Sequence, residues 1–282
     1  MGLTITNENG KRVSFKMFTF PGGERHVQIK NFEKSDLYKV RAALNSSDEI
    51  MDLLLACDAL QELSGGCRIA LLIPYMPYAR QDRVCAPGQP FSMRVMADIL
   101  HTIRNVVSIT TYDIHSDAGC DLVNANNIPA CDLIMASHEI SSLIREKDTV
   151  IVCPDAGAVK RVDELADLFG KARDVVYCQK VRDPETGFIS EITVGAETLE
   201  GKTAFIADDI CDGGRTFTMI ARALRELSVE RVVLYVTHGI FSKGIEAVLR
   251  DTETDQLLID KIFTTDTITN HVHPNLEVIK LK

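Results

Sequence analysis

The chain has 282 residues, 45% of them hydrophobic, enough for a sizeable core and for one large or two medium domains. Its net charge is -9 and no basic run is present, which argues against nucleic acid or an anionic membrane as the main partner while leaving room for a local phosphate pocket. No stretch approaches the roughly 18 apolar residues of a membrane span, and the N-terminus lacks a signal-peptide core.

Residues 1–31 read as short strands, LTIT, VSFKMF and HVQI, joined by turns. Met1-Gly2 with Thr6 fits a short myristoylation pattern, but no second anchoring signal follows and the same residues alternate as a strand. The segment Phe20-Pro21-Gly22-Gly23-Glu24-Arg25-His26 is a hairpin turn by composition or else a ligand loop. Ser46 and Glu49 form a capping box that opens a helix through Met51, Leu54, Leu55, Cys57 and Leu60, and Gly65-Gly66 stops it. A buried strand, Arg68 to Ile73, runs into the Pro-stiffened polar loop Pro74 to Arg83. The helix Ser92 to Ile103 and the strand Val106 to Thr110 follow, the latter ending in Tyr112-Asp113-Ile114-His115-Ser116.

The second half repeats the rhythm. Helix His138 to Arg145 leads to strand Thr149 to Cys153, which ends in Pro154-Asp155-Ala156-Gly157, and then to helix Val159 to Phe169. Strand Val175 to Cys178 continues into a two-stranded ribbon, Gln179 to Val194, around Pro184-Glu185-Thr186-Gly187, a plausible mobile flap. Ala204 to Ala207 is an apolar strand with Asp208 and Asp209 at its end. Asp212-Gly213-Gly214-Arg215-Thr216 makes a tight loop before a helix with Ile220, Ala223, Leu224 and Leu227 on one face. A strand at Val232–Val236, His238-Gly239-Ile240-Phe241, a helix near Ile245–Leu249 and a strand Leu276–Leu281 complete the chain.

Alternating strands and helices predict an α/β fold of parallel sheets covered on both faces. The number of strands suits two domains, 1–135 and 136–266, with the last strand, in 267–282, returning to the first. The eight cysteines, at 57, 67, 85, 120, 131, 153, 178 and 211, show no C-x-x-C spacing and read as buried free thiols of a cytosolic protein.

The strand ends carry the chemistry. In Asp212–Thr216 the glycines let backbone approach an anion, the helix start supplies free N–H groups, and Thr216 adds a hydroxyl. Asp208 and Asp209 can accept hydrogen bonds from vicinal hydroxyls. The alternative is a plain strand-to-helix turn. GAETLEGKT (195–203) approaches a P-loop but opens a strand instead of a helix, and its glycines are too far apart. His115 with Asp113 or Asp155 suits Mg²⁺ or phosphate, although alone it is an ordinary loop histidine. Lys180 and Arg182 share one face of the ribbon and could close on a transferring phosphoryl group, or simply protect a charged edge strand.

Taken together, IPYMPYARQDR (73–83), YDIHS (112–116), VCPDAGAVKRVDELAD (152–167), QKVRDP (179–184), ADDICDGGRT (207–216) and THGIFS (237–242) resemble the ribose-phosphate pyrophosphokinase (PRPP synthetase) family, in family order and through most of the chain. The resemblance implies two phosphoribosyltransferase-like domains that move the β,γ-diphosphoryl group of ATP to the anomeric hydroxyl of ribose 5-phosphate with Mg²⁺. By match, Asp208, Asp209, Asp212, Gly213, Gly214, Arg215 and Thr216 would bind the ribose phosphate, and His115 and Asp155 would hold Mg²⁺ or its waters. Arg80, Gln81 and His115 would contact ATP, and Lys180 and Arg182 would stabilise the transferring group. Phe20 and Glu24 would match the adenine loop, which in the family comes from a neighbouring subunit, implying a homodimer or hexamer in the cytoplasm.

Three departures stand out. Gly22 replaces a usual Asp, the chain is shorter than typical members and compact after Arg83, and the usual D-T-G-G-T or D-T-A-G-T loop reads D-G-G-R-T. A smaller residue at 213 and an arginine fork at 215 leave open a substituted acceptor such as ADP-ribose, as in NAD salvage. A non-catalytic regulatory relative is a third reading, against which the retained Lys180, Arg182, His115 and Asp155 argue.

Overall fold

A computed structural model of the protein describes residues 2–171, 174–182 and 189–281. The chain divides into two units, Met1–Pro129 and Ala130–Lys282.

The first unit contains β1 (Leu3–Asn7), β2 (Arg12–Thr19), β3 (Arg25–Asn31), β4 (Leu37–Ala42), α1 (Ser47–Ser64), β5 (Arg68–Leu72), α2 (Ser92–His101), β6 (Val106–Tyr112), α3 (Asp117–Val123) and β7 (Ala125–Ile128). Its sheet runs β3-β2-β1-β4-β5-β6-β7. The half from β4 to β7 is parallel. β1, β2 and β3 extend it as an antiparallel meander. The α1 capping box forms as the sequence predicts. Ser46 Oγ accepts the Glu49 N–H at 3.3 Å, the Glu49 carboxylate accepts the Asn45 N–H at 2.5 Å, and Gly65 closes the helix at φ 78°. Tyr38, Val40, Leu53, Leu60, Ile69 and Met96 lie in the core of this unit.

The second unit contains α4 (Ala130–Ala136), α5 (His138–Arg145), β8 (Thr149–Cys153), α6 (Val159–Phe169), β9 (Val175–Arg182), β10 (Ile189–Val194), β11 (Thr203–Cys211), α7 (Arg215–Glu226), β12 (Arg231–Gly239), α8 (Glu246–Leu249), β13 (Lys261–Thr265) and β14 (Leu276–Ile279). Its sheet runs β10-β9-β8-β11-β12-β13-β14, parallel except for the β9–β10 ribbon. Every residue of β8 is buried, and all but the first residue of β12, as befits parallel strands covered on both faces. One core layer gathers Ile206, Ile220, Leu224, Leu234 and Val248, and the other Ile151, Leu165, Phe205 and Phe263.

Two expectations about domain layout need correction. The boundary falls after Pro129, not near 135, because Ala130, Cys131 and Ile134 of α4 pack in the same core as Ile140 and Ile151. The final strand does not return to the first unit. β14 pairs in parallel with β13, from Ile262↔Leu276 to Thr265↔Ile279. The elements β4, α3, β7, α4 and β13 were not anticipated from the sequence. The predicted flap turn Pro184–Gly187 lies outside the described residues.

The cysteines are all free, and most are buried, but Cys85 is exposed. Burial pushes the thiols of Cys57 and Cys178 up to about 12 and that of Cys153 to about 11, so these three stay protonated at neutral pH. Among the described residues no helix is long and apolar enough to cross a membrane.

Candidate active site

In the second unit the chemistry gathers where four neighbouring parallel strands, β9, β8, β11 and β12, reach their carboxyl ends. β11 pairs with β8 only as far as Ile206↔Val152, yet continues along β12 to Cys211↔Gly239. Its last residues therefore leave a strand edge open on the β8 side, the kind of crevice in which open α/β sheets bind ligands. Asp208 and Asp209 lie on this extension, paired on its β12 side; the strand runs on to Cys211, past the Ala204–Ala207 run at whose end the sequence places them.

Asp155 follows β8 and caps a short 3-10 turn, Ala156–Ala158. Its Oδ1 accepts the N–H of Gly157 at 2.9 Å and that of Ala158 at 3.3 Å. Its Oδ2 is ion-paired with the Lys180 ammonium on adjacent β9. Burial alone would raise the Asp155 pKa, but Lys180 and the two backbone donors outweigh it and hold the carboxyl below its ordinary range. Arg182 ends β9.

Asp208 is perturbed the other way. Burial first, then the adjacent Asp209 carboxylate, raises its pKa, while Arg161 on α6 opposes them from 3.6 Å. Its Oδ1 also accepts the Asp209 N–H at 2.9 Å. Two adjacent carboxyls, one of them raised in pKa by burial and by the other, can accept hydrogen bonds from vicinal hydroxyls.

Asp212 and Gly213 lead into α7. Gly214 caps that helix at φ 78° with no side-chain hydrogen bond, so the first N–H groups of α7 have no side-chain cap. Gly214 cannot be replaced cheaply, because a Cβ there would lie 2.7 Å from Val248 Cγ2 as well as sitting at a left-handed backbone angle. Arg215 is the first helical residue and is exposed. A helix start without a side-chain cap, a glycine pair and the Thr216 hydroxyl can together receive an anion.

In the first unit, Arg80 and Gln81 lie in the loop after β5, and His115 in the loop after β6. These are the carboxyl ends of adjacent parallel strands, and all three residues are exposed. Backbone bonds fix the Arg80–Gln81 loop: Gln81 N–H donates to Tyr78 O at 2.8 Å, and Met93 N–H to Gln81 O at 3.2 Å. Phe20 and Glu24 do form a hairpin, closed by Phe20 N–H to Glu24 O at 2.9 Å. The tip follows β2, which β1 and β4 separate from β5, about 14 Å at ordinary strand spacing. The sheet thus does not bring Phe20 and Glu24 beside Arg80 and Gln81 within the unit. Phe20 is exposed and packs edge-on against Phe18 with ring centroids 5.1 Å apart, with His26 at 5.4 Å.

Two cations were missed in the sequence. Arg161 faces Asp208 from α6, the helix after β8, and its position inside the PDAGAVKR run was the only clue. Lys243 comes just after THGIFS, and its stem lies over Gly213, with Cε 3.5 Å and Nζ 4.0 Å from where a Cβ would stand.

Among the described residues no group of three or more His, Cys, Asp or Glu side chains could cage a metal ion. The donors still fit Mg²⁺ arriving with a nucleotide. Mg²⁺ keeps several waters and takes only one or two carboxylates beside substrate phosphates, and Asp155 is a carboxylate held ionised.

A phosphoribosyl transferase domain model matches residues 127–276, and the model for the N-terminal domain of ribose phosphate pyrophosphokinase matches residues 5–103. The ribose-phosphate pyrophosphokinase of Thermosipho africanus is 32% identical over 91% of this chain and 78% of its own length. That of Pyrococcus furiosus is 30% identical over 88% of this chain and 84% of its own. The crystal structure of phosphoribosylpyrophosphate synthetase from Mycobacterium smegmatis superposes with a TM-score of 0.77 at 25% identity, covering 95% of this chain and 86% of that one. With two family models in tandem, relatives aligned over most of their length and the same fold, this chain belongs to the ribose-phosphate pyrophosphokinase family.

Proposed function

We propose that the protein transfers the β,γ-diphosphoryl group of ATP to the anomeric hydroxyl of ribose 5-phosphate, giving PRPP and AMP. The observation that carries this reading is the line of strand-end groups on β9, β8 and β11. It sets Lys180 on Asp155 and, one strand further, the Asp208–Asp209 pair above a glycine-lined helix start.

The acceptor's phosphate sits in the Asp212–Thr216 cradle, and its 2- and 3-hydroxyls donate to Asp208 and Asp209. The sugar O1 attacks the β-phosphorus, the bond to the α-phosphate oxygen breaks, and AMP leaves without a covalent enzyme intermediate. Lys180 and Arg182 neutralise charge that builds during transfer, the dominant contribution in phosphoryl chemistry. Arg80, Gln81 and His115 hold ATP, and Phe20 and Glu24 hold adenine from a neighbouring subunit. His115 in the first unit and Asp155 in the second would each take Mg²⁺ or its waters when the ion arrives with the ATP phosphates, and the ion would supply charge neutralisation.

The Lys243 stem lines the space at Gly213, at ordinary van der Waals distance from where a Cβ would stand, which narrows the room for a bulky substituent on the acceptor phosphate. The test is AMP release from ATP and Mg²⁺ with ribose 5-phosphate or ADP-ribose. Turnover with ribose 5-phosphate is expected. Turnover with ADP-ribose alone would overturn the acceptor, and none with either would favour a non-catalytic relative.

A further inference from the structure

We propose that Lys243 is a phosphate-contacting residue of the acceptor loop and sets the affinity for the acceptor's phosphate monoester; this rests on reading Asp212–Thr216 as the ribose-phosphate cradle. The physical basis is the pairing of Lys243 with Gly213. The lysine stem crosses the glycine at ordinary van der Waals distance, Cδ 3.6 Å and Cε 3.5 Å from the absent Cβ. A β-branched residue at 213 would place further atoms into that stem. The missing side chain and the lysine therefore belong together: position 213 carries no hydroxyl donor, and an ammonium stands over the same backbone.

The position of Lys243 is built, not incidental. The Ile240 and Phe241 N–H groups both donate to Cys211 O, at 2.8 and 3.2 Å, tying the chain after β12 to the residue just before Asp212. Phe241 is 1% exposed and adopts φ 50°. Its ring fits only because Gly239 lacks a Cβ, which would lie 2.2 Å from Cε2. Gly244 N–H then donates to Phe241 O at 2.8 Å, closing a turn that carries Ser242 and Lys243 on a rigid base. Val248, shortly after, backs Gly214, so one segment supports the cradle and supplies its extra cation. Among the described residues no carboxylate forms an ion pair with Lys243, so the ammonium is available to an incoming phosphate. The uncapped helix start supplies N–H donors but less than a full charge, and a dianionic phosphate is better matched when a cation joins them.

The experiment measures AMP release against ribose 5-phosphate and, separately, against ATP for wild type, Lys243→Ala, Lys243→Arg and Gly213→Thr. Loss of one charge-assisted contact predicts an acceptor KM raised about 10-fold in Lys243→Ala, with the KM for ATP unmoved. Lys243→Arg recovers most of the loss. Gly213→Thr displaces the stem, raises the acceptor KM, and is less than additive with Lys243→Ala. An unchanged acceptor KM in Lys243→Ala, with wild type active, overturns the assignment while leaving the proposed function standing. Wild type inactive on ribose 5-phosphate overturns the proposed function first and this assignment with it.

Discussion

The Lys180 ammonium sits on Asp155 Oδ2 across the parallel pair β8–β9, while the other carboxylate oxygen is taken by two backbone N–H groups. The pair keeps Asp155 ionised and holds Lys180 near the carboxyl end of β9. Lys180→Ala is expected to lower AMP release by about 10²- to 10³-fold, the usual cost of losing one preorganised charge at a reacting centre. Stability shows the same pair from another side. A carboxyl whose folded pKa is depressed stabilises above its unfolded pKa and loses that contribution as pH falls through the folded value. The urea midpoint of Lys180→Ala should thus lie below wild type at neutral pH and converge with it on acidification through and below the ordinary carboxylate range.

Arg161 is the counterweight to a carboxyl that burial and Asp209 push upward. Arg161→Gln removes a charge that lowers it, so Asp208 protonates at higher pH. If ionised Asp208 receives the sugar hydroxyls, the acid limb of kcat/KM for the acceptor moves to higher pH in this variant. An unmoved limb would mean that Asp208 does not report on acceptor binding. Because the folded pKa of Asp208 is raised, its contribution is fully present below the unfolded pKa and is lost as pH rises through the folded value. Asp208→Asn should therefore gain thermal stability over wild type above that range, measured by melting at a series of pH values.

Gly214 and Gly244 both have positive φ, 78° and 84°, but only Gly214 faces a wall. Gly214→Ala combines backbone strain with overpacking against Val248 and should destabilise by about 3 kcal/mol. Gly244→Ala, with nothing within 4 Å of the new Cβ, carries the strain alone, about 1 kcal/mol. Denaturant midpoints of the two variants separate the effects, and equal costs would show that the Val248 contact relaxes.

Phe20 is exposed on the β2–β3 hairpin, away from the β5 and β6 loops of its own sheet. If this tip completes the adenine site of a neighbouring subunit, Phe20→Ala raises the KM for ATP about 10-fold through lost stacking, with little change in melting temperature. Specific activity should also fall on dilution as sedimentation reports smaller species. Activity independent of concentration, with an unchanged KM for ATP in Phe20→Ala, would remove the hairpin from the site.

Local chemistry made much of this protein legible from residues alone. A capping box at Ser46 and Glu49, a Gly65 stop and apolar runs such as Thr149–Cys153 and Ala204–Ala207 mark elements because their periodicity and turn chemistry are encoded over a few residues. The strand-end motifs identified the family for the same reason. The misses share a cause. β7 is only ANNI, with no apolar alternation, and β13, KIFTT, is short and bounded by no clear turn signal.

Sequence by itself determined the α/β character, the family and the order of its loops, since these follow from residue types at short spacing. Tertiary structure decided what depends on pairing between distant strands: that β14 closes the second sheet, and that the Phe20 tip stands apart from Arg80 and Gln81. It also decided that Arg161 meets Asp208 and that Lys243 covers Gly213. Each is a contact between elements whose proximity no local pattern encodes, because strand order and crossover packing are settled by the burial of whole sheets.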